Sequence, residues 1–254
     1  MKRVILVLLL GVVAMPILYL GLLAMGRSWF FPEIIPSEVS VSILVERVRS
    51  EAGFVSALGT SMSLALGIAL FSSFFGFIVS KEFALSTRKR WWLISVYLPY
   101  LISPVILAIL MSRLFIFFGL SGAYFGVFWG HVLMAFPFSI IYFQSFWAGG
   151  IFDQMRTAAN LGASSVQVYQ DIVIPTAWPF VLACFFQCFL ISWFEYGFTY
   201  VIGLGKVESL TILTYKYLIE ANTNQAAAAS LFLIAPPLMF LWLNKFVLFT
   251  EKNQ

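Results

Sequence analysis

Residues 156–179 read RTAANLGASSVQVYQDIVIPTAWP and separate two of the most apolar segments of the chain. The stretch is mostly polar and rich in helix formers. Residues 153–161 read as one helix that ends at Gly162. Ser164 then opens a second short helix, and Gln167 follows at the spacing of a capping box. Pro175 and Pro179 are expected to stop that helix and start the next apolar segment. Small residues crowd the hinge: Ala158, Ala159, Gly162, Ala163 and Ser164. They let a second surface approach closely, so a hinged helix pair of this kind suits docking. The alternative, an amphipathic helix lying on a bilayer, needs a basic polar face opposite bulky apolar anchors. Here a single Arg stands among small side chains.

The flanking chain says where this insert sits. Of 254 residues, 61% are hydrophobic, 18% aromatic and only 10% charged. Soluble domains average about 25% charged residues, so the chain reads as an all-α polytopic membrane protein. One domain, residues 1–254, accounts for its length. The formal charge of +4 does not imply a nucleic-acid partner, because the basic residues lie at the ends of apolar runs rather than in a patch. Cys184 and Cys188 are i,i+4 neighbours in an apolar run, which is expected of small buried helix residues rather than of a disulfide or metal site.

A membrane helix needs about 20 apolar residues. Six stretches qualify: about 4–25, 56–80, 91–118, 122–147, 178–202 and 226–249. The first follows MKR like a signal peptide, but its length and the lack of a clear cleavage site make it a retained anchor. Pro99 and Pro104 interrupt the third stretch, and Pro236 and Pro237 the sixth. With a cytoplasmic N-terminus, nine basic residues face inward: Lys2, Arg3, Lys81, Arg88, Lys89, Arg90, Arg156, Lys245 and Lys252. The six facing outward are Arg27, Arg47, Arg49, Arg113, Lys206 and Lys216. The short KEFALSTRKR loop carries most of this bias. Both termini and the insert at 150–177 are therefore expected in the cytoplasm, with outer loops at 26–55 and 203–225.

Polar groups inside a membrane are costly, so their placement carries information. Cys184, Cys188, Ser192, Glu195 and Thr199 are spaced to share one stripe of a continuous helix. Glu195, the only acid within a span, is either a pathway-lining carboxylate or a helix-contact residue paired with a Tyr, His or Arg. His131, the sole histidine, shares a face with Ala135, Ser139 and Tyr142, and either packs through hydrogen bonds or lines the pathway. Ser192, Thr199, Tyr196 and Ser139 complete the pathway candidates. Gly59, Ser63 and Gly67 form a small-residue ridge for close helix packing.

The insert resembles the EAA loop of binding-protein-dependent ABC importer permeases. That loop carries an E-A-A-x-x-x-G pattern followed by a hydrophobic-Pro ending. The matching residues are Ala158, Ala159, Gly162, Ile174 and Pro175, with Thr157 where Glu is usual. The agreement extends over residues 56–249, including YLPYLISPVILA at the third span. The resemblance implies the type I (MetI-like) permease fold, six transmembrane helices and a cytoplasmic coupling helix. Thr157, Ala158, Ala159, Gly162, Ala163, Ile174 and Pro175 would then carry ATPase coupling. Its implied partners are an ABC ATPase dimer, a second permease subunit, identical or different, and a substrate-binding protein, all at a bacterial cytoplasmic (inner) membrane.

The chain has no phosphate-binding loop: GLGKVES lacks the earlier glycine. The resemblance therefore places ATP and Mg on the partner, with no cofactor and no catalysis on this chain. The polyamine, ferric-iron and thiamine subgroup is the nearest in pattern, through the Glu195-Tyr196 pair, which implies a small cationic or amine-bearing solute. Three rival classes are weaker, and one of them, a purely structural membrane scaffold, would not need the hinged insert. A membrane enzyme would show a paired-carboxylate, HExxH or Ser/His constellation. A self-sufficient secondary transporter would show related halves, broken helices and several intramembrane charges.

Overall fold

The computed structural model describes residues 2–27, 36, 38–51, 53–86 and 89–249. For residues 2–10, 13, 89–90 and 241–249 it describes the backbone course only. Arg88 and Lys252 of the charge pattern therefore lie outside the described residues, as do the side chains of Lys2, Arg3, Lys89, Arg90 and Lys245.

The described residues are mainly helical. In order come α1 (Lys2–Met25), α2 (Val41–Ser50), α3 (Phe54–Leu85) and α4 (Lys89–Tyr97), which runs into a 3-10 turn at Leu98–Leu101. Next are α5 (Pro104–Phe117), α6 (Tyr124–Ala148), α7 (Ile151–Asn160) and α8 (Ser165–Val168), followed by a π turn at Tyr169–Val173. The last four are α9 (Ile174–Trp193), α10 (Gly197–Gly203), α11 (Leu210–Ile219) and α12 (Thr223–Phe249). Among the described residues there is no strand, only an isolated bridge between Gly26 and Val39. Among the fully described residues, three helical runs are long and apolar enough to cross a membrane: Phe54–Leu85, Tyr124–Ala148 and Ser165–Trp193. A fourth crossing arises if the bent pair Trp91–Leu101 and Pro104–Phe117 counts as one. The protein is thus all-helical in its described residues and of polytopic membrane character.

Two compact units divide the chain. The first comprises Met1–Ser61 and Glu208–Phe249. Its core joins Leu23 and Ala24 of α1 to Ala227 and Ala228 of α12, with Leu44 of α2 against them. The alanine run at the start of α12 lets the helices approach closely. Arg47 of α2 donates to the carbonyls of Leu23 at 3.1 Å, Ala24 at 2.7 Å and Gly26, so a cation closes the open C-terminal end of α1. Phe54 meets Phe232 edge-on at 5.2 Å, and Ser61 accepts the backbone N–H of Leu210, the first residue of α11.

The second unit spans Met62–Val207. α3 lies along α6 through close contacts and aromatic pairs. A Cβ on Gly76 would stand 1.8 Å from the Ser139 hydroxyl, and Phe77 packs on Phe143 at 5.1 Å. A second cluster joins Ala108 and Phe115 of α5, Met134 of α6, and Phe198 and Ile202 of α10.

Several elements depart from the sequence expectation. The third span is not straight: its two halves meet at 104°. Ile102 and Ser103 are extended, as the residue before Pro104 prefers, and α5 starts afresh at that proline. α5 alone, at about 1.5 Å per residue, reaches roughly 21 Å and cannot cross a core of about 30 Å.

The fifth span also breaks, at residues 194–196, so the polar stripe does not lie on one continuous helix. Conversely, Pro175 and Pro179 do not stop the helix after Ser164, which continues as one run, Ser165–Trp193. A π turn absorbs the first proline: the Ile174 N–H reaches back five residues to the Tyr169 carbonyl, and the wider turn makes room for the ring that follows. The stretches 26–55 and 203–225, read as loops, hold helices as well, α2 and α11. α12 covers the sixth stretch, with its side chains from 241 onward outside the described residues.

Candidate functional site

Two features of the second unit concentrate the candidate residues. One is the hairpin α7–α8. Gly150, with φ of +83°, turns the chain out of α6, and Asp153 in the first turn of α7 complements the helix dipole. Ile151 is buried and anchors that turn. α7 ends in a Schellman arrangement: Ala163 N–H bonds the Ala158 carbonyl and Gly162 N–H bonds that of Ala159, both at 3.0 Å. Gly162 itself has φ of +92°, a left-handed conformation that favours glycine. Ser164 and Gln167 then form the reciprocal capping box, with Ser164 N–H to Gln167 Oε1 at 2.9 Å.

The hairpin is pinned to the bundle from beneath. Val168, Val173 and Ala177 are buried. Trp147 stacks on Phe152 at 5.3 Å and donates to Ser80 Oγ at 2.9 Å. Lys81 donates to the Tyr169 hydroxyl and lies 5.1 Å from the centre of that ring. The outer surface is bare and apolar at its tip: Leu161 is 84% exposed and Val166 63%. Thr157, Ala159, Ile174 and Pro175 are exposed, while Ala158 and Ala163 are half-buried. The Thr157 hydroxyl donates to the Asp153 carbonyl at 2.8 Å within its own helix. Only Asn160 and Leu161 separate Ala159 from Gly162, where the EAA pattern has three residues. Counted back from the glycine, Arg156 occupies the position of the pattern's Glu.

The other feature is a buried polar knot. His131 Nδ1 is hydrogen-bonded to Ser192 Oγ at 2.8 Å. Its Nε2 stands 2.8 Å from Thr199 Oγ1 and 3.0 Å from Glu195 Oε2. Glu195 accepts further bonds from the N–H groups of Phe198 at 2.8 Å and Thr199 at 3.1 Å, and from the Thr199 hydroxyl at 3.2 Å. All four side chains are buried. The carboxylate thus caps the restarted α10, which explains why the fifth span can break at Glu195 without a proline. Gly197, just after the break, presses on the break in the third span: a Cβ there would lie 2.8 Å from Val105 N.

The remaining candidates are scattered around this knot. Ser139 is fully buried on Gly76 and donates to the Phe136 carbonyl at 2.7 Å. Tyr196 is half-buried and stacks on Tyr200 at 5.3 Å. Cys188 donates to the Ala135 carbonyl at 3.5 Å. A half-open, mainly apolar cavity of about 440 Å³ lies where the two breaks meet, lined by Tyr100, Pro104, Met134, Phe194, Glu195 and Tyr196. Among the described residues, no three His, Cys, Asp or Glu side chains converge as a metal site would require.

Sequence reasoning missed Lys81, Tyr169 and Trp147 as the supports of the hairpin, and Gly76, Gly130 and Gly197 as close-approach points. No short motif marks them, because each pairs with a residue distant in the chain. Comparison with known families and with curated proteins finds no match: no family model fits the chain, and no curated protein is similar to it.

Proposed function

We propose that this chain is the membrane-spanning permease subunit of an ATP-driven, binding-protein-dependent importer in a bacterial cytoplasmic membrane. The observation that carries the reading is the hairpin: α7 and the first turns of the long run Ser165–Trp193, hinged at a left-handed glycine and supported from below, with an exposed apolar tip at Leu161 and Val166. An isolated surface helix has no need of such support. A lever that transmits force does, since a docked partner can move the bundle only through stiff contacts.

In this reading an ATPase dimer, carrying ATP and Mg, docks on this hairpin and on that of a second permease subunit. Closure of the ATPases draws the hairpins together and rocks the two permeases to an outward-facing state. Hydrolysis returns them. The chain itself catalyses nothing and contributes half the pathway. The six-span topology of a type I permease counts the bent third segment and the broken fifth as one crossing each, with both termini cytoplasmic. The solute, delivered by a binding protein, is small; the amine or cation expectation rests on resemblance, because Glu195 already accepts four bonds from within the chain.

A second reading, a self-sufficient secondary transporter, is favoured by one observation: two broken helices meet at Gly197 and Val105 beside a buried ionisable pair. Cross-linking separates the two. Leu161→Cys in native membranes should cross-link to an ATPase subunit, whereas Phe125→Cys, also exposed but on α6, should not. A Leu161→Cys chain that captures no ATPase would sink the importer reading.

A further inference from the structure

A cavity of about 350 Å³ opens at the foot of the hairpin, between the last turns of α3 and helices α7 and α8. Lys81, Arg156 and Tyr169 supply its polar wall, and Leu85, Phe152 and Met155 its apolar one. We propose that this cavity binds the phosphodiester headgroup of an anionic phospholipid. Ala159 and Ala163, coupling residues in the importer reading, also line the cavity, yet the proposal needs only a bilayer and not an ATPase.

Position, charge and shape each favour this occupant. Lys81 follows the long apolar run of α3, where a membrane helix passes from hydrocarbon to headgroups. Trp91, which is exposed, opens the apolar segment that follows the basic loop, as interfacial tryptophans do. Two cations face the cavity against the single negative charge of a phosphodiester.

Lys81 is held in place by the Tyr169 hydroxyl and ring, yet an ammonium has three donors, so two remain for a ligand. Arg156 is largely exposed, and its ion pair to Asp153 is loose at 3.9 Å. The apolar wall suits the glycerol and the roots of the acyl chains, which a free phosphate would leave unused. Basic pockets at the ends of membrane helices bind lipid headgroups by this combination.

The test titrates the purified, delipidated full chain with phosphatidylglycerol and counts bound lipid by native mass spectrometry, with no ATPase present. Failure here therefore leaves the docking reading standing, and failure of that reading leaves this one standing. One phosphatidylglycerol per chain is expected to bind well above the background of other adducts, with phosphatidylcholine weaker. Each lost cation should weaken binding roughly fivefold, so Lys81→Gln with Arg156→Gln should weaken it about 25-fold. Arg156→Gln alone alters an exposed residue and serves even if the Lys81 change loosens the hairpin. Unchanged binding in Arg156→Gln, equal binding of phosphatidylcholine, or displacement of the lipid by millimolar inorganic phosphate would each overturn the proposal.

Discussion

Gly162 holds φ of +92°, and a Cβ there would touch nothing within 4 Å. The cost of replacing it is therefore conformational rather than steric within the chain, roughly 1–2 kcal/mol for a side chain forced into the left-handed region. In the importer reading, Gly162→Val should abolish uptake while leaving the protein inserted at normal levels. Gly162→Asn, which tolerates that conformation, should retain much of it; equal loss in both would mean that contact at the hinge, not its backbone, is what matters.

Glu195 makes the opposite case. Its carboxylate accepts two backbone N–H bonds, a hydroxyl bond and a contact from His131, all buried. Glu195→Gln replaces charged bonds worth about 1.5–3 kcal/mol each and leaves some unmade. A lower thermal midpoint in detergent is expected, from the full chain alone. Undiminished stability with selectively lost uptake would return Glu195 to the pathway.

At this scale the capping box and the hinge glycine were legible in the sequence, because both are local. A His partner for Glu195 was one of the readings open in the sequence. The bonds of His131 to Ser192 and Thr199 were not legible, because those residues lie 61 and 68 positions away. The register of the EAA resemblance was also one residue off, since anchoring it on the alanines rather than on the glycine hid Arg156.

Among the elements, breaks rather than spans carry the new information. Pro99 and Pro104 announced a disturbance in the third stretch, and the structure makes it a bend of 104°. The break at residues 194–196 had no proline to announce it; a side chain captures the N–H groups instead. Pro175 gave the reverse error, because a π turn accommodated what helix rules read as a stop.

Glycines on α3 sort the same way. Gly59, in the ridge read from sequence, faces open space, whereas Gly76 lies against Ser139. Gly59→Ala should therefore be silent. Gly76→Val should overpack the α3–α6 contact by about 1–3 kcal/mol or more and cut the yield of folded protein, as measured by size-exclusion profile. In the first unit, Arg47→Ala should free α2 from α1, where three carbonyls lose their donor. Faster proteolysis near residues 47–49 is the expected readout. Unchanged protection would show that Leu44 against Leu23 and Ala24 suffices.

For the whole molecule, composition alone separated a polytopic helical protein from a soluble one, since the apolar excess leaves no other solvent. The number of crossings is less direct: among the fully described residues three runs are unambiguous by length and composition, and a fourth is bent. What the protein does depends on whether its hinged insert meets an ATPase. The most direct measurement is affinity purification of the full chain from native membranes in mild detergent, with each co-purifying subunit identified and counted by mass. An importer would yield two ATPase copies and one further permease, identical or different, for each complex. A stable chain that purifies without any ATPase, and still transports when reconstituted alone, would contradict the account.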